Sequence, residues 1–208
     1  MSRRLRWGVF LDRDGVLTEP VWNPATQAFE SAHRVEDVQL CADVVTPLRA
    51  LSAAGAELFI VSNQPSFAKG KVSLARLRAI ARQVDERFRA NGITFRESYY
   101  CFHHPDGIKP GYSVVCACRK PGPLFLIKAA QTYALDLSRS WMIGDRDSDV
   151  VCGQRAGCKT ILVKHPHAPE PPSTCRPNWS ARNLQEAVAL IVRGIVEPVV
   201  LSTVRDAP

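Results

Sequence analysis

Residues 4–20 read RLRWGVFLDRDGVLTEP. An apolar string from Trp7 to Leu11 ends abruptly in Asp12, Arg13, Asp14 and Gly15. A desolvated carboxylate without a partner costs several kcal/mol, so two acids at i and i+2 at the mouth of a buried strand mark a site. The same arrangement returns at SWMIGD, residues 140–145, where a second apolar strand ends in Asp145. Between them ELFIVS (57–62) is a near-continuous apolar run of strand length, as is KTILV (159–163). Such runs belong to strands covered on both faces, which is the habit of parallel sheets.

Helical patterns separate the strands. Spacing predicts helices over about 42–54, 73–92 with Ser73 as N-cap, 124–133, 148–156 and 184–195, and a short strand over 95–100. Gly55 and Gly157 stand where C-terminal glycines end helices. The βαβα beat predicts a Rossmann-like three-layer α/β/α sandwich with a mostly parallel sheet and right-handed crossovers. No linker or internal repeat divides the chain, so residues 1–208 are expected to form a single domain without a large cap. Residues 18–39 and the proline-rich 164–182 read as irregular, with the last helix following in the 164–208 segment.

The 208 residues are 46% hydrophobic and 23% charged, a globular balance, with a net charge of +7 spread without long like-charge runs. That charge suits an anionic small molecule drawn to a basic mouth. A zinc-containing nucleic-acid-binding module is the rival from another class, but it calls for basic and aromatic residues interleaved along a face, and none is found. No stretch reaches the ~18 apolar residues of a membrane span, and the N-terminal arginines precede too short an apolar patch for a signal peptide. The seven cysteines are an odd number, which argues for reduced thiols rather than a disulfide framework. The expectation is a cytoplasmic monomer.

In an open parallel sheet, ligands bind beyond the carboxyl ends of the strands. Those ends carry Asp12 and Asp14, then Ser62-Asn63-Gln64, then Arg119-Lys120 after a loop, then Asp145 with Asp149. Carboxylates from two strands can share Mg²⁺, which keeps several waters and takes phosphate oxygen as well, and Lys120 would balance excess negative charge. One aspartate can then attack phosphorus to give an aspartyl-phosphate while another moves the proton of the leaving oxygen. Asp is also favoured in helix caps and turns, an alternative that applies most readily to Asp149.

Within YYCFHHPDGIKPGYSVVCACRKPGP (99–123), Cys101, His103, Cys116 and Cys118 supply three thiolates and an imidazole. That is a tetrahedral Cys₃His zinc set with no position left open for catalysis, hence structural. It would fold a loop without an apolar core and fix Arg119 and Lys120, which follow directly; His104 competes with His103 as the imidazole.

Taken in order, Asp12-x-Asp14-Gly15, Ser62, Lys120-Pro121 and Gly144-Asp145-x-x-x-Asp149 resemble the haloacid dehalogenase-type phosphatases. The resemblance implies Asp12 as nucleophile, Asp14 as general acid/base and backbone-carbonyl metal ligand, and Ser62 with Lys120 holding the phosphoryl group. It further implies Asp12, Asp14 and Asp145 as Mg²⁺ ligands, with Asp149 in support. The loop C-x-H…C-x-C-R-K-P is similar to that of the small capless phosphatases of heptose bisphosphate and of histidinol phosphate, and its length resembles the former more. A small phosphorylated sugar is then the expected substrate, with Arg119 on its second phosphate and Asn63 and Gln64 meeting its hydroxyls or phosphate. A nucleic-acid 3′-phosphatase has only net charge in its favour. Val16 replaces the common Thr, Ser62 stands for Thr, and Pro65-Ser66-Phe67-Ala68-Lys69-Gly70 departs from Ser-Gly-Ile-Ala-Arg-Gly.

Overall fold

Strand β1 (Gly8–Leu11) is buried along its whole length because it has a strand on each side and helices on both faces. The computed structural model describes residues 6–168 and 174–196. After β1 come a small hairpin, β2 (Val21–Asn23) and β3 (Ala28–Glu30), helix α1 (Val45–Ala53) and β4 (Glu57–Asn63). Helix α2 (Leu74–Ala90), β5 (Glu97–Cys101), α3 (Leu124–Tyr133), β6 (Trp141–Gly144) and α4 (Asp147–Ala156) follow. The described chain closes with β7 (Lys159–Val163), β8 (Trp179–Ala181) and α5 (Leu184–Val196).

The main sheet has the order β5-β4-β1-β6-β7-β8, and every adjacent pair is parallel. Alternating side chains on β1 serve two apolar layers. Val9 and Leu11 meet Leu48 of α1, Ile80, Val84 and Phe88 of α2, and Ile191 of α5. Phe10 meets Phe59 and Met142 with Leu126 and Ala129 of α3 and Cys152 of α4. This is the three-layer sandwich that the apolar runs predict. Chain order reverses about β1, with β4 on one side and β6 on the other, so three strand ends open at one switch point.

Two regions expected to be irregular contain strands. Residues 21–30 form the antiparallel hairpin β2–β3, and residues 179–181 add a sixth strand to the sheet. Both elements are three residues long, too short for periodicity to register. The hairpin turns on Gln27 with φ 49° instead of the glycine that signals a turn. Asn178 anchors β8, its Oδ1 accepting from Thr160 N–H at 2.8 Å and from Thr160 Oγ1 at 3.1 Å. The remaining parts of the C-terminal reading, 169–173 and 197–208, lie outside the described residues. No helix among the described residues is long and apolar enough to cross a membrane.

Helix α4, which carries the second acid cluster, lies close on the sheet through Gly153. A Cβ there would stand 2.6 Å from Thr160 Cγ2 and 2.7 Å from Met142 Cβ. Gly153→Ala is therefore expected to destabilise the fold by about 1–3 kcal/mol, the usual cost of overpacking, read as a lowered midpoint in denaturant unfolding.

Candidate active site

Asp12 leaves β1 where its N–H still donates to Ile143 O of β6 at 2.9 Å, so the two strand ends cannot diverge. Asp145 follows β6, and Asp149 lies in the first turn of α4 with its Oδ2 accepting from Arg146 N–H at 3.0 Å. Gly15, at φ 83°, lets the backbone pass against Asp145, since a Cβ there would lie 2.5 Å from Asp145 Oδ2. Carboxylate oxygens of Asp12, Asp145 and Asp149 come within 4.8 Å of one another, and all three side chains are buried. The structure thus brings together acids more than a hundred positions apart in sequence, and makes Asp149 a full member of the group.

One ammonium faces the three acids. Lys120 Nζ lies 2.8 Å from Asp12 Oδ1 and 2.6 Å from Asp149 Oδ1, and donates to Val61 O at 2.7 Å. Burial opposes the charge on Lys120, but the two carboxylates outweigh it and drive the ammonium pKa well above the ordinary value. Asp145 has no such partner. Among the described residues its Oδ1 is buried without a hydrogen bond, and its nearest cationic group is Arg146, with Nε at 3.9 Å. Burial, then the charges of Asp12 and Asp149, push Asp145 up to about 8. Burial also raises Asp149, to about 6, against the pull of Lys120. Three carboxylates against one ammonium, with an orphaned oxygen, form a donor set of the hard oxygen type suited to a divalent cation.

Asp14 points elsewhere. Arg13, whose guanidinium is fully buried, donates from Nη2 to both Asp14 oxygens at 3.0 Å and from Nε at 3.2 Å. Ser31 Oγ and Gln64 Nε2 donate to Asp14 Oδ2 at 2.9 and 2.7 Å. Burial alone would raise the Asp14 pKa, but Arg13 and these hydrogen bonds hold it below the usual carboxylate range. Sequence reading passed over Arg13 and Ser31. For Arg13 a signal was present, since a cation set between two acids at the end of an apolar run has to find a partner.

Ser62 is buried in β4, where its Oγ accepts from Gln64 Nε2 at 3.0 Å. Gln64 bridges Ser62 and Asp14, and its Oε1 has no hydrogen-bond partner among the described residues. Asn63 is engaged with the main chain of Lys120. The amides expected to meet substrate thus hold neighbouring protein groups. Arg119 is half-buried and donates from Nη1 to His103 O at 3.4 Å. It lines a cleft of about 400 Å³ together with Asp12, Asp14, Asn63, Lys69, Lys71, Lys120 and Arg146, under the hairpin residues Phe29, Glu30 and Ser31.

Beside this cleft the Cys101, Cys116 and Cys118 sulfurs lie 3.3–3.6 Å apart, with His103 Nδ1 3.7 Å from Cys101 and 3.4 Å from Cys118. A tetrahedral zinc site with ~2.3 Å metal–sulfur bonds has edges of about 3.8 Å, so the four atoms outline a metal-sized tetrahedron. His104 is outside this group, its Nδ1 accepting from Asp106 N–H at 3.1 Å. The Cys/His loop in turn supports the cleft, because Ile108 N–H donates to Ala68 O at 2.7 Å and Tyr112 packs edge-on against Phe67.

Comparison with known proteins agrees with this geometry. Residues 117–187 match the HAD-hydrolase-like family model. The D-glycero-alpha-D-manno-heptose-1,7-bisphosphate 7-phosphatase of Photorhabdus laumondii is 32% identical over 165 residues, covering 79% of this chain and 86% of the relative. The beta-anomer 7-phosphatase of Rhodopseudomonas palustris is 34% identical over 152 residues, covering 73% and 80%. The crystal structure of D,D-heptose 1,7-bisphosphate phosphatase from B. bronchiseptica, complexed with magnesium and phosphate, has the same fold. Its TM-score is 0.72 at 23% identity, covering 90% of this chain and 98% of that one. The chain therefore belongs to the haloacid dehalogenase-like phosphatases and, within them, to the family of the heptose-1,7-bisphosphate 7-phosphatases.

The raised carboxyl groups predict how stability varies with pH in protein dialysed free of Mg²⁺. A carboxyl whose folded pKa exceeds its unfolded value stabilises the fold at low pH and loses that contribution as pH rises through the folded pKa. Unfolding midpoints of the Mg²⁺-free protein should fall as pH rises from the ordinary Asp value of 3.8 to about 8, most steeply below about 6 where both acids contribute, and Asp145→Asn should flatten that fall. A slope unchanged by Asp145→Asn would contradict the upward shift of the Asp145 carboxyl.

Proposed function

We propose that this protein is a Mg²⁺-dependent phosphatase that removes the 7-phosphate of D-glycero-D-manno-heptose 1,7-bisphosphate through an aspartyl-phosphate on Asp12. The observation that carries the reading is the buried trio Asp12, Asp145 and Asp149 around the Lys120 ammonium, with an Asp145 oxygen that accepts no hydrogen bond among the described residues. Asp12 and Asp145, with the Asp14 backbone carbonyl, would hold Mg²⁺, and Asp149 anchors Lys120 in support. When bound, the cation supplies charge neutralisation to the approaching phosphoryl group. Histidinol phosphate is the rival substrate within the same chemistry.

Asp12 attacks phosphorus and the bond to the sugar oxygen breaks. The resemblance makes Asp14 the group that gives that oxygen its proton, although Arg13, Ser31 and Gln64 hold it as the anion in this structure, so it has to be protonated as substrate binds. As the anion it then takes a proton from the water that cleaves the aspartyl-phosphate, releasing inorganic phosphate. Lys120, whose donors are on Asp12, Asp149 and Val61, lends its charge to the transferring group, and Ser62 offers its hydroxyl to an equatorial oxygen. Arg119 offers a planar fork to the second phosphate, with Lys69, Lys71 and Arg146 adding positive charge to the same cleft. Cys101, His103, Cys116 and Cys118 would hold a structural zinc, and the whole chain would act as one phosphatase domain.

Phosphate release from either heptose bisphosphate anomer should depend on added Mg²⁺, and Asp12→Asn should abolish it while the protein stays folded by circular dichroism. Full activity in Asp12→Asn refutes the reading, and faster turnover of histidinol phosphate than of both anomers would reassign the substrate. Zinc analysis of purified protein should give one equivalent, released by a thiol-modifying reagent together with activity. Cys118→Ser should lower both zinc content and thermal stability, whereas an intact, fully active Cys118→Ser protein without zinc would refute a structural role for the metal.

A further inference from the structure

Asn63 is the last residue of β4, and its side chain turns across to the Lys120 main chain rather than into solvent. Its Nδ2 donates to Lys120 O at 3.0 Å, and its Oδ1 accepts from Lys120 N–H at 3.0 Å. One side-chain amide thus satisfies both backbone groups of one residue, as a neighbouring strand would, at a point where the chain following Cys118 runs outside any strand. Two residues earlier on the same strand, Val61 O accepts from Lys120 Nζ at 2.7 Å. β4 therefore grips Lys120 at both ends, the main chain through Asn63 and the ammonium through Val61. An amide suits the first, because one of its atoms donates and the other accepts.

We propose that Asn63 is a positioning residue for phosphoryl transfer, acting through Lys120 by holding its backbone so that the ammonium stays between Asp12 and Asp149. The inference rests on the phosphatase reading above, in which Lys120 meets the transferring group. It also explains the use of an amide immediately after Ser62. With its two hydrogen bonds turned to Lys120, Asn63 serves geometry, and the cleft next to it keeps Arg119 and Lys69 for anionic ligand oxygens, with the charge of Lys120 beside them. Without the bracket the Lys120 segment is still joined to Cys118, so the loop remains attached while the ammonium loses its fixed distance to the acids.

The test is a double-mutant cycle on kcat with heptose 1,7-bisphosphate and saturating Mg²⁺, using Asn63→Ala, Lys120→Ala and the pair. Misplacing a reacting group by about 1 Å can cost ~10²-fold, so Asn63→Ala should lower kcat by about that factor with KM nearly unchanged. In the Lys120→Ala background the same change should cost less than about threefold, because residues acting as one unit are not additive. Zinc content should equal that of the unmodified protein, which separates positioning from loss of the neighbouring loop. Asn63→Asp, which keeps the acceptor for the Lys120 N–H but sets an anionic oxygen against Lys120 O, should lose at least as much as Asn63→Ala, and replaces it in the cycle should that variant not fold. Equal losses in both backgrounds, or no loss in either, overturn the bracket while leaving the phosphatase reading intact. An active Lys120→Ala enzyme overturns that reading, and the bracket with it.

Discussion

The constraint on which the rest depends is the burial of one lysine ammonium among carboxylates. Lys120 lies between Asp12 and Asp149 with its third donor on Val61 O. Removing either acid would leave a buried cation short of a partner, a change that costs several kcal/mol. The ion group therefore ties together β1, β4, α4 and the segment after Cys118. Charge balance is left incomplete, since Asp145 keeps a buried oxygen without a donor. A site that is stable but short of positive charge is prepared for a cation and an anionic substrate together.

Around that centre, the cleft is built by segments that support one another. The Cys/His loop hydrogen-bonds to the 65–72 loop through Ala68 O, and that loop holds the hairpin through Lys71 to Glu30 at 2.7 Å and the segment after it through Ser66 to His33 at 2.9 Å. The hairpin in turn stacks Phe29 on His167, ring centroids 3.5 Å apart. Among the described residues, a hairpin pinned from both sides borders the cleft, and Ser31 just after it reaches Asp14.

Much of this was legible in the residues, for a physical reason. Strands buried on both faces write continuous apolar runs, so β1, β4, β6 and β7 were visible, and a carboxylate at the end of such a run has few uses other than a site. The zinc-type set was legible because thiols and imidazole at short spacing have one common coordination. The β2–β3 hairpin and β8 were not, since three residues carry no period and Gln27 takes the left-handed turn without a glycine. Nor could sequence decide where adjacent amides point. Asn63 and Gln64 look alike as ligands for a sugar, yet one binds the Lys120 main chain and the other links Ser62 to Asp14. The pairing of Arg13 with its own neighbour Asp14 likewise depends on the chain leaving the strand and turning at Gly15, where Leu17 N–H donates to Arg13 O at 2.8 Å.

The central claim is that Asp12, and no other acid in the group, receives the phosphoryl group. Acid quench of a reaction with substrate labelled at the 7-phosphate, followed by peptide mapping at low pH, reads this directly. The account predicts transient label on the peptide containing Asp12, cleared within a turnover by hydrolysis. Label on the Asp145 or Asp149 peptide, or phosphate release with no labelled protein at any quench time, would contradict it.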